Sequence, residues 1–183
     1  DGANSHIAIR VALKAELVMV NSGDTDPTFI ETNIPWVVRV IGDDRQQGYL
    51  LVDYLYRKRG YERVGIIRSN NRYGRFGVRE IRDGGRRLGR PIALEINYHL
   101  GTEDFSPQLD RLESANVDAV VHWGDGEDAA HVLNQMRKRG MDQPFFASDR
   151  AVSDTFVRIA GSNAEGVICS YPWNPDREDE KLI

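Results

Sequence analysis

Cysteine is nearly absent from this sequence: Cys169 is the single thiol in 183 residues. A lone cysteine excludes an internal disulfide and any cysteine-built metal site. Its apolar setting, Gly166-Val167-Ile168-Cys169, predicts a buried filler. No apolar run approaches the roughly 18 residues that a membrane-spanning helix needs. The opening Asp-Gly-Ala-Asn-Ser shows no basic-then-apolar leader either. Lysine is scarce, standing only at 14, 58, 138 and 181. The net charge of −4 excludes a nucleic-acid binder held chiefly by phosphate neutralisation. The Arg-rich stretch 68–90 is interspersed with acids and reads as a solvated helix face. Catalytic signatures are missing as well: there is no Gly-x-Ser-x-Gly elbow, no His-Glu-x-x-His and no phosphate-binding Gly-Lys-Ser/Thr loop. Histidines 6, 99, 122 and 131 are too scattered for metal ligation. Neither an enzyme, a metal site nor a cofactor is expected.

What is present is a rhythm. Apolar strand-like runs occur at 16–20, 36–41, 63–68, 92–98, 119–122, 145–147 and 166–170. Helical patterns of 3.6 spacing separate most of them, at 46–57, 73–88, 105–113, 128–139 and 153–160. Gly89 with Pro91, Gly140 and Gly161 supply the stops. Strands alternating with helices define a doubly wound parallel α/β sheet with helices on both faces. Residues 1–35 hold a helix-like run at 7–13, one short strand and the turn-rich Asn21-Ser22-Gly23-Asp24-Thr25-Asp26-Pro27. They fit that sheet less well and read as part of a second lobe.

In a parallel sheet, ligands collect at the carboxyl ends of the strands. Those ends are Asn70–Arg75, His122–Glu127 and Ser148–Arg150, with Ser22–Thr25 added by the smaller lobe. Tyr73, an aromatic planted at the mouth of a helix, is the leading contact candidate. Trp123, Asp125 and Asp149 are the others; together they offer the inventory of a small-molecule pocket. Asp149 beside Arg150 reads either as a mutual ion pair or as a ligand anchor, with the anchor preferred for its place at a strand end. His122 reads as pocket lining or a satisfied core histidine before a general base. Gly124-x-Gly126-x-x-Ala129 has the order of a dinucleotide fingerprint with Asp149 downstream. Asp125, Glu127 and Asp128, however, would repel a pyrophosphate and instead suit the helix dipole. A nucleotide-dependent enzyme stays only as an alternative.

The order Asp43-x-x-Gln46-x-Gly48, Arg63-Val64-Gly65-Ile66-Ile67 with Tyr73-Gly74, Tyr98-x-x-Gly101-x-x-Asp104-Phe105, Gln135-Met136-x-x-x-Gly140 and Ala160-Gly161-x-x-Ala164-Glu165-Gly166 resembles the type I periplasmic binding proteins. Within them it is most similar to the branched-chain amino-acid receptor group of ABC importers, from about residue 17 to 173. The resemblance implies two lobes with a solute trapped between them, and crossing strands at 36–41 and 166–170. It divides the chain into a partial first lobe with its crossing (1–42), a complete second lobe (43–166), and a second crossing that starts the return (167–183). Hinge residues would be Arg39, Val40, Ile168 and Cys169. Asn4 and Ser5 would lie on a ligand-facing loop of the first lobe. Gly23, Asp24 and Thr25 would hold a ligand carboxylate through amides and a hydroxyl, Tyr73 would cover the solute, and Asp149 would hold its α-ammonium.

Partners implied are a small-molecule solute and a membrane permease, with a monomeric receptor outside the cytoplasm whose signal peptide is not in this chain. A sensor domain of a larger receptor or regulator is the further alternative. Asp24 stands where amino-acid binders usually carry small neutral residues, and Asp125-Gly126 where an aromatic often covers the ligand. Both departures favour a polar, nitrogen-bearing ligand, an amino acid first and an amide or urea-like compound second.

Overall fold

The computed structural model describes residues 2–31 and 35–172. Helix α1 (Gly2–Ala15) leads into strand β1 (Met19–Asn21), helix α2 (Thr28–Glu31) and strand β2 (Val37–Arg39). Then come α3 (Asp44–Asp53), continued by a wider π turn over Tyr54–Lys58, β3 (Val64–Ser69), α4 (Arg72–Arg87), β4 (Leu94–Tyr98), α5 (Ser106–Ser114), β5 (Ala119–Trp123), α6 (Gly126–Lys138), β6 (Phe145–Ala147), α7 (Asp154–Ala160) and β7 (Ile168–Cys169). The strands form a two-stranded parallel sheet, β1–β2, and a five-stranded parallel sheet in the order β4-β3-β5-β6-β7. The doubly wound α/β architecture expected from the alternating pattern is therefore present.

Side chains alternate across the larger sheet as the period of two requires. Ile67, Val120 and Phe145 enter a core with Leu109 and Leu112 of α5 and Leu133 and Met136 of α6. Ile66, Val121 and Phe146 enter another with Leu51 of α3, Leu55, and Val78 and Ile81 of α4. Two faces are buried, so the strands read as continuous apolar runs. Local chemistry fixes the elements. Asp43 caps α3 by accepting from Gln46 N–H, while the Gln46 side chain accepts from Asp43 N–H, a complete capping box. Gly48 lets α3 lie close on α4, since a Cβ there would meet Ile81 N at 3.3 Å.

The small differences have causes. The first helix starts at Gly2 rather than Ile7, so Asn4 and Ser5 lie within α1 and not on a loop. Glu16 ends that helix in the left-handed region (φ 51°), which delays the next strand to Met19. Ile168–Cys169, expected as a crossing, pairs with β6 as the last strand of the larger sheet. The part of the tail from 173 to 183, expected to begin a return to the first lobe, lies outside the described residues.

Candidate functional site

The order β4-β3-β5-β6-β7 reverses direction at β3. From β3 the chain crosses to β4 on one side and then to β5 on the other, and the carboxyl ends of β3 and β5 at such a switch point are where open α/β sheets place a ligand crevice. Ser69 Oγ contacts Asn71 Oδ1 at 2.8 Å, and Asn71 Oδ1 accepts from Gly74 N–H at 2.8 Å, capping α4. A Cβ on Gly74 would stand 2.1 Å from Ser69 O, so only glycine permits this tight entry. The turn delivers Tyr73 to the crevice.

Tyr73 is half-buried, and its hydroxyl donates to Asp149 Oδ1. Burial, with the Asp149 and Asp44 carboxylates nearby, holds its own pKa well above the usual tyrosine value. The Arg150 guanidinium lies over the Tyr73 ring, 3.8 Å from its centroid, and pairs with Asp125 at 2.5 Å. Arg150 therefore serves Asp125 rather than its neighbour Asp149. Ser148 Oγ donates to Gly124 O at 3.1 Å, tying together the turns after β5 and β6. Burial raises the Asp149 pKa despite the Tyr73 hydrogen bond and the Arg150 charge that lower it.

Asp44, one residue past the cap of α3, completes this wall and was not singled out by its sequence. It is 1% exposed, and neither carboxyl oxygen accepts a well-formed hydrogen bond. Burial first, opposed by the nearby Thr25 hydroxyl but reinforced by Asp149, Asp26 and Asp24, pushes its pKa up to about 8. A sequence signal existed: of the consecutive acids Asp43 and Asp44, only the first is needed to cap the helix.

The smaller lobe meets this wall through residues 21–26. Asp44 N–H donates to Thr25 O at 2.9 Å. Arg72 Nε pairs with Asp26 at 2.6 Å, and Arg72 Nη2 donates to Thr28 Oγ1 at 3.0 Å. Burial alone would raise the Asp26 pKa, but hydrogen bonds from Thr28 and Arg72 hold it below the usual range. The expected carboxylate cradle is otherwise engaged: Gly23 N–H and Asp24 N–H both donate to Asn21 Oδ1, at 3.2 and 2.8 Å.

Other sequence candidates fall elsewhere. Trp123 is fully buried and backs the wall instead of facing the crevice, with its ring 5.9 Å from that of Tyr73. Gly77 makes room for it: a Cβ there would lie 2.0 Å from Trp123 Nε1. Asn4 is exposed and Ser5 half-buried on α1. Arg39 pairs with Asp43 at 2.8 Å and donates to Asp26 O at 3.1 Å, while Val40 N–H donates to Asn21 O. Ile168 is exposed, and burial pushes the half-buried Cys169 thiol up to about 11. The glycines of the dinucleotide-like stretch have packing reasons: a Cβ on Gly124 would meet Tyr98 Oη at 2.2 Å, and one on Gly126 would meet Arg150 O at 2.5 Å. His122 is a core histidine, fully buried, 3.0 Å from Tyr98 Oη, with burial lowering its pKa to about 3. No group of metal-ligating side chains occurs among the described residues.

A parallel α/β lobe with a polar wall at its switch point, faced by a second sheet's loop, is the architecture of the binding-protein class. The chain belongs to the periplasmic binding protein family, whose sequence profile matches residues 2–182. The family is one of binding proteins, not enzymes. The chain is 27% identical over 161 residues to the Leu/Ile/Val/Thr-binding protein of Salmonella typhimurium, covering 88% of this chain and 44% of that protein. It is 25% identical to the crystallised leucine-binding protein of Thermotoga maritima, with a TM-score of 0.83 over 88% of this chain and 46% of that one. A branched-chain amino-acid ABC transporter protein of Thermus thermophilus, solved with bound valine, shares the fold at a TM-score of 0.82, 21% identity and coverage of 92% and 44%. The chain thus spans about half the length of the relatives it matches.

Proposed function

We propose that the protein is an extracytoplasmic solute-binding receptor of an ABC importer, taking a small nitrogen-bearing ligand with amino acids first and amide or urea-like compounds second. The observation that carries the reading is the wall of Tyr73, Asp149 and Asp44 at the switch point, where a buried carboxyl lacks a partner. Relatives named for binding leucine, isoleucine and valine support the amine-bearing class. In this reading Asp149 and Asp44 hold the ligand's ammonium and Tyr73 covers it. A charge-assisted hydrogen bond of this kind contributes roughly 1.5–3 kcal/mol, or one to two decades of affinity.

The mechanism is closure. A ligand shifts an open–closed equilibrium only by its differential affinity for the two states. A solute on the second-lobe wall gains contacts with the 21–26 loop only when that loop is docked, and the Arg72–Asp26 pair forms in the same arrangement. The closed form then presents an occupied receptor to a separate permease. Among the described residues no helix is long and apolar enough to cross a membrane.

The test is a thermal-shift screen of the intact protein against amino acids, their amides, ureas and amines. Stabilisation of the wild type by a member of the panel, weakened in Asp149→Asn, is expected. Equal shifts in both proteins remove Asp149 as the anchor, and no shift by any compound removes the receptor reading.

A further inference from the structure

The charge state of the ligand is written into the cleft from two sides. The first is the 21–26 loop. Gly23 and Asp24 N–H turn inward to Asn21 Oδ1, Asn21 Nδ2 returns a bond to Asp24 O at 3.0 Å, and Asp26 N–H donates to Asp24 Oδ1 at 3.1 Å. Backbone amides bind an anion only when they point outward into a common concavity. Gly23 and Asp24 N–H are consumed here within their own turn, so two of the donors expected for a free carboxylate are taken.

The second side is the pairing of the acids. Asp26 has Arg72, Asp43 has Arg39 and Arg45, and Asp125 has Arg150. Asp44 has no such cation; both of its oxygens are buried without a well-formed hydrogen bond, the Thr25 hydroxyl lying nearby, and Asp24 Oδ2 is likewise buried and unbonded. Asp149 receives the Tyr73 hydroxyl. The groups facing Asp44 are Asp24, Thr25 and Asp26 from the loop after β1, Asp149 from the turn after β6, and Tyr73 from α4, with Arg150 and Arg72 behind them on Tyr73 and Asp26. A buried carboxylate without a counter-charge is costly and is relieved by a bound cation or by a proton.

We propose that the cleft takes an organic cation without a free carboxylate, a primary amine or amino amide, whose ammonium seats between Asp44 and Asp149 in place of a proton on Asp44. The proposal rests on the receptor reading but sets its amide class above free amino acids: a zwitterion brings a carboxylate that these acids repel and that the Gly23 and Asp24 amides do not receive. Without ligand, Asp44 is protonated at neutral pH, because burial and Asp149 raise its pKa to about 8. An ammonium beside it favours the ionised form, so binding near pH 7 releases a proton to solvent. Affinity for a primary amine then rises with pH up to about 8 and levels off above it, once Asp44 is ionised in both states, whereas an amino amide, whose own ammonium is lost near pH 8, falls off again.

Isothermal titration of the intact protein decides it, using leucine, glutamine and phenylalanine, each as free acid, as amide and as the decarboxylated amine. The expected result is that the amide or amine of the best side chain binds at least ~10-fold tighter than the acid, consistent with one charge-assisted contact. Binding heats should also vary with buffer ionisation enthalpy, reporting the released proton. Asp44→Asn should weaken the amine by ~10-fold or more and abolish the proton release, while its ligand-free melting temperature is not lowered. An acid that binds as tightly as its amide and amine, or an Asp44→Asn protein that binds like the wild type, overturns the proposal and leaves a receptor in place. If no acid, amide or amine binds, the receptor reading falls with it.

Discussion

Two parallel sheets in this chain use the same residues to opposite ends. In the larger sheet Ile66, Ile67, Val120, Val121, Phe145 and Phe146 are at most 2% exposed. Around the smaller sheet Val18, Val20, Val38 and Val40 are at least 50% exposed. Strand pairing is parallel in both, so backbone geometry is not the difference. Helices cover both faces of one and leave one face of the other bare, the face that carries these valines, and parallel strands ordinarily need both faces covered. The larger lobe is thus fixed by apolar burial. The smaller region is tied to it by polar contacts, above all Arg72–Asp26 and Asp44 N–H to Thr25 O. Under the proposed receptor reading, closure would draw on that asymmetry, because a few polar contacts can be exchanged where a core cannot.

The largest effect that should follow is in the core of the larger lobe. Leu109 of α5 is fully buried in the cluster with Ile67, Leu133 and Met136. Leu109→Ala should cost about 3 kcal/mol, through lost transfer energy and the cavity left behind. Urea unfolding measures it, and a loss under about 1 kcal/mol would mean that the two regions are held alike.

Next comes the polar seam, probed through Asp44. Its folded pKa lies above the unfolded value, so between about pH 4 and pH 8 the folded state holds a proton that the unfolded state has lost. The contribution of Asp44 to stability therefore falls as pH rises through that window, by up to about 1.4 kcal/mol per unit, opposed below about pH 6.5 by buried neutral His122, and is level above the window. Asp44→Asn should remove that slope and raise the ligand-free melting temperature at pH 8. Asp26 and Asp43 act in the other direction. Their folded pKa values are depressed, so their contribution is present above about pH 4 and disappears as pH falls below it. A melting temperature that rose from about pH 7 to pH 8 in the wild type, above the range in which buried neutral His122 adds the opposite slope, would contradict the placement of Asp44.

The fold was legible because alternation of strand and helix is a repeated, local pattern. Seven strand-like runs and their intervening helices lie within a few residues of their observed places. Tyr73 and Asp149 come together for a related reason: each follows closely on a strand at the same edge of the parallel sheet. Trp123 occupies the same edge yet is buried, because Gly77 on the next helix opens a slot for its ring. No periodicity displays such a pairing across 46 positions, since it depends on how α4 lies on β5 (Trp123 minus Gly77 in the numbering). Asp44 was hidden by its neighbour, for an acid in the first turn of a helix already has a local explanation in the dipole. The Asn21 turn was within reach, because Asn followed by Gly two residues on commonly bonds its own backbone.

A smaller effect separates the seam from the core. Arg72 is 31% exposed while its partner Asp26 is 6% exposed. Arg72→Ala strands a mostly buried carboxylate, and after discounting for solvent at the arginine the cost should be about 1 kcal/mol. Hydrogen exchange gives the sharper readout. Residues 19–31 should exchange faster in the variant while β3 and β5 keep wild-type protection, because opening would be local to the seam. Equal acceleration in both sheets would show that the two regions unfold together.

The smallest expected effect tests the bare face itself. Val20 is 60% exposed on β1, and Thr keeps the branched shape that suits a strand. On residues 1–183 alone, Val20→Thr should change stability by less than about 0.5 kcal/mol, as for other exposed sites. A contiguous exposed apolar surface nevertheless marks a place where something packs. Made in a longer protein that carries this chain, the same substitution should cost about 1–2 kcal/mol if a further layer covers the face, since a hydroxyl would then be buried without a partner. The difference between the two measurements reports how much of the asymmetry belongs to the small sheet and how much to what lies over it. Equal small values in both contexts would assign the exposed valines to solvent, and the polar seam alone would then hold the 21–26 loop against Tyr73 and Asp149.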